Sequence, residues 1–328
     1  MSADDRAGRR RTRTMALPAL PAVTVAPAAA AHPDEARVEV RKTWKMYVDG
    51  AFPRSESGRT YLVSARDGRP LANAVRASRK DLRDAVRAAR KSADPWAGRT
   101  AMLRGQILYR VAEMMEGRRA QFVAEVADAE GLRADRAAAD VDRAIDRWVW
   151  YAGWTDKIAQ VLGTVNPVAA PYFDFTIPEP TGVAGLVAPE ASSLLGLVSR
   201  LAPVVAGGNV AIVLASESRP LPAVTLGEVL ATSDLPAGVV NILTGRRTEL
   251  VPILASHGDV DAIDLWGCPD DLLAPSEAAA ADNLKRLARR PRGVADARFD
   301  WLDDRACQRP EWIAAFLEMK TVWHPIGG

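Results

Sequence analysis

Two cysteines, three histidines and a carboxylate at the end of an apolar run are the side chains of this sequence whose types could do chemistry. Cys268 and Cys307 are the candidate nucleophiles. A thiol attacks as its thiolate, which a neighbouring imidazole or cation must generate near neutral pH. His32, His257 and His324 are scattered, none is placed beside a cysteine, and they show no metal-ligand spacing. Both thiols therefore read as inert. Two cysteines build no disulfide framework either, so a reducing cytoplasm is expected. Glu217 closes the run Val210-Ala211-Ile212-Val213-Leu214-Ala215-Ser216-Glu217, and Pro189 closes Val183-Ala184-Gly185-Leu186-Val187-Ala188-Pro189. Ligands of parallel sheets sit beyond the carboxyl ends of the strands, which makes Pro189 and Glu217 the candidate binding edge.

The elements that must hold these residues can be read around them. The run from Val183 opens on Gly182 and stops on proline, as suits a strand buried on both faces. Leu194, Leu197, Val198, Leu201, Val204 and Val205 recur at three- and four-residue steps, the period of an amphipathic helix, and Gly207-Gly208 supplies its stop. Strand, helix and strand over 181–217 make one βαβ unit. A helix over 222–232, a strand over 239–243 ending at Thr244-Gly245, a helix over 250–256 and a strand over 260–265 ending at Trp266-Gly267 continue the alternation. The pattern predicts an α/β fold with a doubly wound parallel sheet.

The 328 residues are 48% apolar and 26% charged, with a formal net charge of +2. That is ordinary globular composition, and the interspersed charges argue against a nucleic-acid partner. No run approaches the ~20 apolar residues of a membrane span. Residues 1–37, basic and then rich in Ala, Pro and Val, read as a disordered tail rather than a targeting signal.

Residues 44–61 read as a hairpin around Asp49-Gly50. Ser78, with Asp81 at the third position, caps a helix. Further helices are expected over 101–115, 121–130 and 137–154. Residues 156–179 then hold two candidate strand stretches, 158–165 and 172–177, on either side of a Pro-containing turn. There Tyr172, Asp174 and Thr176 alternate with Phe173, Phe175 and Ile177, as in a sheet with one wet face. Beyond residue 268 the strand–helix pattern stops. Residues 269–310 are charged and rich in Ala and Arg, with one expected helix over 275–290.

Several ordered motifs carry a family resemblance. Gly182-Val183-Ala184-Gly185 to Pro189, Ala202-Pro203 with Gly207-Gly208-Asn209, Ser216-Glu217, 235–245 and 257–263 look like the cofactor-domain core of aldehyde dehydrogenases, and the resemblance covers most of 44–267. Tyr47-Val48-Asp49-Gly50 followed by Ser57-Gly58-Arg59 is similar to the family's beginning. The resemblance implies an α/β cofactor-type domain over 38–268 that binds NAD or NADP, with Ala188, Pro189, Glu217, Gly245 and Gly267 at the cofactor. It also implies that the hairpin at 156–179 and a C-terminal strand within 311–328 form an oligomerisation sheet.

The departures concern catalysis. The family works through a cysteine thiolate, an asparagine that helps hold the oxyanion and a glutamate that activates water. Its Pro-Trp-Asn is here Pro189-Glu190-Ala191, and neither Gly-Gln-x-Cys nor Glu-Leu-Gly-Gly-Lys has a match. Cys268 falls where relatives carry serine. The family's Lys-Pro-Ser-Glu aligns with Leu214-Ala215-Ser216-Glu217, a family glycine with Arg247, and Phe-Thr-Gly-Ser with Leu265-Trp266-Gly267-Cys268. These changes argue for a filled cofactor site, although Arg247 could instead meet a 2′-phosphate. Residues 269–310 read as a degenerate connector in place of a catalytic domain, which needs on the order of 100 residues. The expectation is a catalytically inactive member that assembles with a full-length aldehyde dehydrogenase subunit, or with itself, through 158–177 and 316–323. The alternative is an active NAD(P)-dependent oxidoreductase acting on aldehydes through an atypical site.

Overall fold

Short strands and a tight turn open the described part of the chain. The computed structural model describes residues 40–291 and 293–326. The tail expected over 1–37 lies outside them, and the described residues from Arg41 on form one compact unit. β1 (Thr43–Trp44) runs parallel to β3 (Pro70–Val75), which pairs antiparallel with β2 (Thr60–Ser64). The Asp49-Gly50 turn is present, with φ of +50° and +72°, and exchanges backbone bonds between Val48 and Ala51 at 2.9 and 3.0 Å. The hairpin expected over 44–61 is not formed, because β2 takes β3 as its partner instead.

α1 (Arg79–Ala97) starts as expected. Asp81 Oδ2 accepts from the Ser78 amide at 2.7 Å, and Ser78 Oγ accepts from the Asp81 amide at 3.4 Å. Such a cap contributes about 1 kcal/mol. α2 (Ala101–Glu116), α3 (Arg119–Glu130) and α4 (Ala134–Ala152) follow. The next short apolar segment is a helix, α5 (Ile158–Leu162), where a strand was expected. A run of that length carries no periodicity that separates the two. β4 (Thr164–Asn166) and β5 (Tyr172–Pro180) then pair antiparallel.

Five parallel strands form the centre. β6 (Val183–Val187), α6 (Leu195–Ala206), β7 (Val210–Leu214), α7 (Leu221–Leu230), β8 (Val240–Leu243), α8 (Arg247–Ser256) and β9 (Ala262–Asp264) alternate as the apolar runs predict. Every residue of β6 and β7 is buried. Each buried Val, Leu or Ile there contributes roughly 1.5–3 kcal/mol of transfer free energy. α6 and α7 pack against one face of the sheet, α1 and α8 against the other.

The sheet does not stop at residue 268. α9 (Asp270–Asp282) ends at Asn283, Leu284 turns the chain at φ +54°, and β10 (Arg286–Ala288) adds a fifth strand parallel to β9. The helix expected over 275–290 is therefore corrected: it lies earlier and gives way to a strand. Lys285 anchors that strand, its ammonium donating to the His257 and Val260 carbonyls at 2.6 and 2.7 Å. The strand order is β10-β9-β6-β7-β8.

α10 (Asp304–Cys307) and α11 (Pro310–Ala314) lead to β11 (Leu317–Pro325), which pairs antiparallel with β5 from Leu317↔Pro180 to Pro325↔Tyr172. The resulting three-stranded sheet, in the order β11-β5-β4, joins the two segments expected to meet. Its expected wet face is corrected at Asp174, which is buried and accepts from Asn166 Nδ2 at 2.9 Å, while Phe173 is 45% exposed. Among the described residues, no helix is long and apolar enough to cross a membrane.

Candidate functional site

The strand order reverses beside β6: the chain builds outward through β7 and β8, then returns to lay β9 on the other side. In open α/β sheets a crevice forms at such a reversal, beyond the carboxyl ends of the two strands. Here those ends are Ala188-Pro189 and Gly267. They nearly touch. The Gly267 amide donates to the Val187 carbonyl at 2.9 Å, and a Cβ on residue 267 would stand 1.9 Å from the Ala188 carbonyl oxygen. Only glycine permits that approach.

Arg247 closes what remains. It is buried, and its guanidinium donates through Nη1 to the Gly267 carbonyl and through Nη2 to the Ala188 carbonyl, both at 2.6 Å. Nη2 also meets Glu190 Oε2 at 2.8 Å. Glu190 is drawn inward in turn, accepting from the amides of Glu217 and Ser218 at 2.9 Å. Burial pushes the Glu190 carboxyl up, but Arg247, the Ser218 hydroxyl and the two amides outweigh it and hold the group below the usual carboxylate range. Glu217 accepts from Arg246 Nη1 at 2.6 Å and from the Arg247 amide at 2.8 Å. Gly245, at the end of β8, lies two residues before Arg247, and Pro189 packs over Gly196 at the start of α6. The five residues expected at a cofactor are thus gathered at one sheet edge, around an arginine rather than around an opening.

The segment after β10 roofs this edge. Asp296 accepts from the amides of Glu190 and Ala191 at 2.7 and 3.0 Å and from the Trp266 indole at 3.2 Å. Trp266 is buried among Phe299, Trp301 and Trp312, with ring centroids 4.9, 4.9 and 5.9 Å away. The Ala188 and Gly267 carbonyls, the Glu217 and Arg247 amides and the Glu217 carboxylate are each bonded within the chain, while Arg247 Nε is buried without a partner among the described residues.

Neither thiol is poised. Cys268 and Cys307 are free and buried. Burial pushes the Cys268 thiol up to about 11 and the Cys307 thiol up to about 12. Both stay protonated at neutral pH, the unreactive form.

A model of the aldehyde dehydrogenase family matches residues 52–289. The chain belongs to the aldehyde dehydrogenase family. Cytosolic aldehyde dehydrogenase 1 of Elephantulus edwardii is 32% identical over 248 residues, covering 74% of this chain and 49% of the relative. Human retinal dehydrogenase 2 is 31% identical over 283 residues, covering 83% and 54%. Among solved structures, HpcC of Thermus thermophilus superposes with a TM-score of 0.72 at 27% identity, over 76% of this chain and 48% of that one. An aldehyde dehydrogenase of Bacillus cereus, solved as its NAD+ complex, superposes with a TM-score of 0.72 at 25% identity, over 76% and 50%. The chain spans about half the length of the relatives it matches.

Sequence reasoning about this aldehyde dehydrogenase family member missed the residues that lock the edge. Arg200 Nε donates to Asp264 Oδ2 at 2.6 Å with both side chains buried, and the Arg200 guanidinium lies 4.9 Å from the Trp266 ring and 4.4 Å from the Trp312 ring. Arg147, fully buried, donates to Asp304 Oδ1 at 2.9 Å, the Trp301 carbonyl at 3.0 Å and Ser199 Oγ at 3.3 Å. One signal was available. An arginine inside the apolar run 194–206 and an aspartate ending a buried strand must find partners, because an isolated buried charge is too costly.

Proposed function

We propose that this chain is a non-catalytic member of the aldehyde dehydrogenase family that assembles with a full-length aldehyde dehydrogenase subunit, or with itself, through the sheet β11-β5-β4. The observation that carries the reading is Arg247, whose guanidinium spans the Ala188 and Gly267 carbonyls at the switch point. With Trp266 and Asp296 stacked behind it, the crevice does not fit NAD or NADP, so no hydride transfer is assigned to this chain. The protonated thiols support the same reading, and two unpaired cysteines suit a reducing cytoplasm.

The small sheet supports the assembly half of the proposal. Tyr172, Met319 and Trp323 are exposed on one face of it, Val165 and Phe173 on the other, and β11 is one of its edge strands. Exposed apolar side chains beside an edge strand suit an interaction surface, and strand addition supplies main-chain bonds to a partner. The test is co-expression with a complete aldehyde dehydrogenase, co-purification and light scattering of the product. A mixed oligomer, or a self-assembled one, is expected. A well-folded monomer that ignores the complete enzyme ends the proposal. Calorimetric titration with NAD and NADP is expected to stay flat.

A further inference from the structure

Beside the closed crevice lies a cavity of about 250 Å³ lined by four carboxylates, Glu130, Asp140, Asp296 and Asp300. Three of them have donors. Glu130 accepts from the Ser193 amide and hydroxyl at 2.7 and 2.6 Å, Asp296 holds the amides described above, and Asp300 accepts from the Leu302 amide at 3.1 Å. Asp140 differs. It is only 6% exposed and lines the cavity, yet among the described residues no hydrogen bond or ion pair reaches its carboxylate. Arg136, one turn earlier on α4, also lines the cavity and favours the charged form of Asp140 without a hydrogen bond or ion pair to it among the described residues. Burial, with Glu130 and Asp300 nearby and Arg136 opposing them, pushes the Asp140 carboxyl up to about 7.

A carboxylate on a largely buried side chain, with its oxygens open to a cavity and no donor from the described residues, is free to meet a cationic ligand there. Phe299 and Trp301 supply aromatic walls to the same cavity, their ring centroids 4.7 Å apart. Carboxylates combined with aromatic rings recognise organic ammonium groups, and the cavity is several times the ~30 Å³ that one water occupies. Bare metal suits it less: among the described residues no three His, Cys, Asp or Glu side chains are arranged to hold an ion. We propose that this cavity binds a small primary ammonium compound, with Asp140 as its counter-ion and Phe299 and Trp301 as its walls. The inference does not rest on the subunit reading, since the site is complete within one chain.

The test is calorimetric titration of the full chain with diaminobutane at about pH 8, where an acid titrating near 7 is ionised. Butanediol serves as the uncharged control and potassium chloride as the ionic-strength control. Saturable one-site binding of the diamine alone is expected, weakened at least ~tenfold by Asp140→Asn. Binding is expected to weaken as the pH falls through about 7, because a protonated Asp140 cannot serve as counter-ion. Glu130, Asp296, Asp300 and Arg136 face the same space, so the Asn variant must flatten that pH profile. Asp300→Asn, expected to bind with a smaller loss, gives the same reading should Asp140→Asn fail to fold by near-ultraviolet circular dichroism. Equal heats from diamine and diol, equal binding by wild type and a folded Asp140→Asn, or a signal that follows ionic strength alone would overturn the proposal.

Discussion

The carboxyl edge of the five-stranded sheet and the three-stranded sheet β11-β5-β4 use their side chains in opposite ways. At the first, where parallel sheets ordinarily present polar groups to a ligand, Arg247, Glu190, Glu217 and Asp296 bond to one another or to backbone, and Trp266 is packed away. At the second, Trp323 and Met319 are exposed on one face and Phe173 on the other, and among the described residues β11 has a neighbour on one side only. A site is recognised by polar groups left unpaired, and a docking surface by apolar groups left uncovered. The crevice keeps one such polar atom, Arg247 Nε, buried without a partner among the described residues, while the small sheet leaves several apolar side chains uncovered.

Asp264→Ala should give the largest effect. It strands the Arg200 guanidinium beneath Trp266 and Trp312, and breaking one partner of a buried pair costs about 3–5 kcal/mol. The urea midpoint should fall accordingly, and Arg200→Met with Asp264→Leu should recover most of the loss. A negligible fall would show the crevice to be hydrated rather than core-like. Arg247→Gly should cost less, about 2–3 kcal/mol, because it unpairs two carbonyls while Glu190 keeps partial solvent contact. Titration with NAD should remain flat, since Asp296 and Trp266 stay in place. Micromolar binding would break the comparison by placing the crevice one side chain away from a working site. Trp323→Asp should move stability least, within about 0.5 kcal/mol by chemical denaturation, as an exposed substitution does. The same variant should abolish the oligomer that light scattering is expected to detect. Unfolding instead of dissociation would mean that the small sheet belongs to the core.

What the sequence disclosed follows the same division. β6, α6 and β7 were legible because strands and helices buried on all sides leave apolar runs with clear stops. The position of β5 against β11 was legible through family motifs. β10 was not: Arg286-Leu287-Ala288 is short and lies in an Arg-rich passage, and its strand conformation comes from the free edge of β9. α5 was misread for want of length. Within the site, Arg247 was recognised as crowding, but its bonds to Ala188 and Gly267 depend on a crossover from α8 that no local pattern encodes. Arg200 and Asp264 declared a need for partners without naming them.

The pairing of β5 with β11 also orders events during synthesis. Lys320 and Glu179, ion-paired at 2.9 Å, are 141 positions apart, and the entire parallel core lies between them. A ribosome-bound chain can fold that core while β5 still lacks its longer neighbour, because β11 is synthesised after the core strands. Distant pairings of this kind close late. The β11 side of the small sheet is therefore completed only on molecules whose parallel core has already been translated.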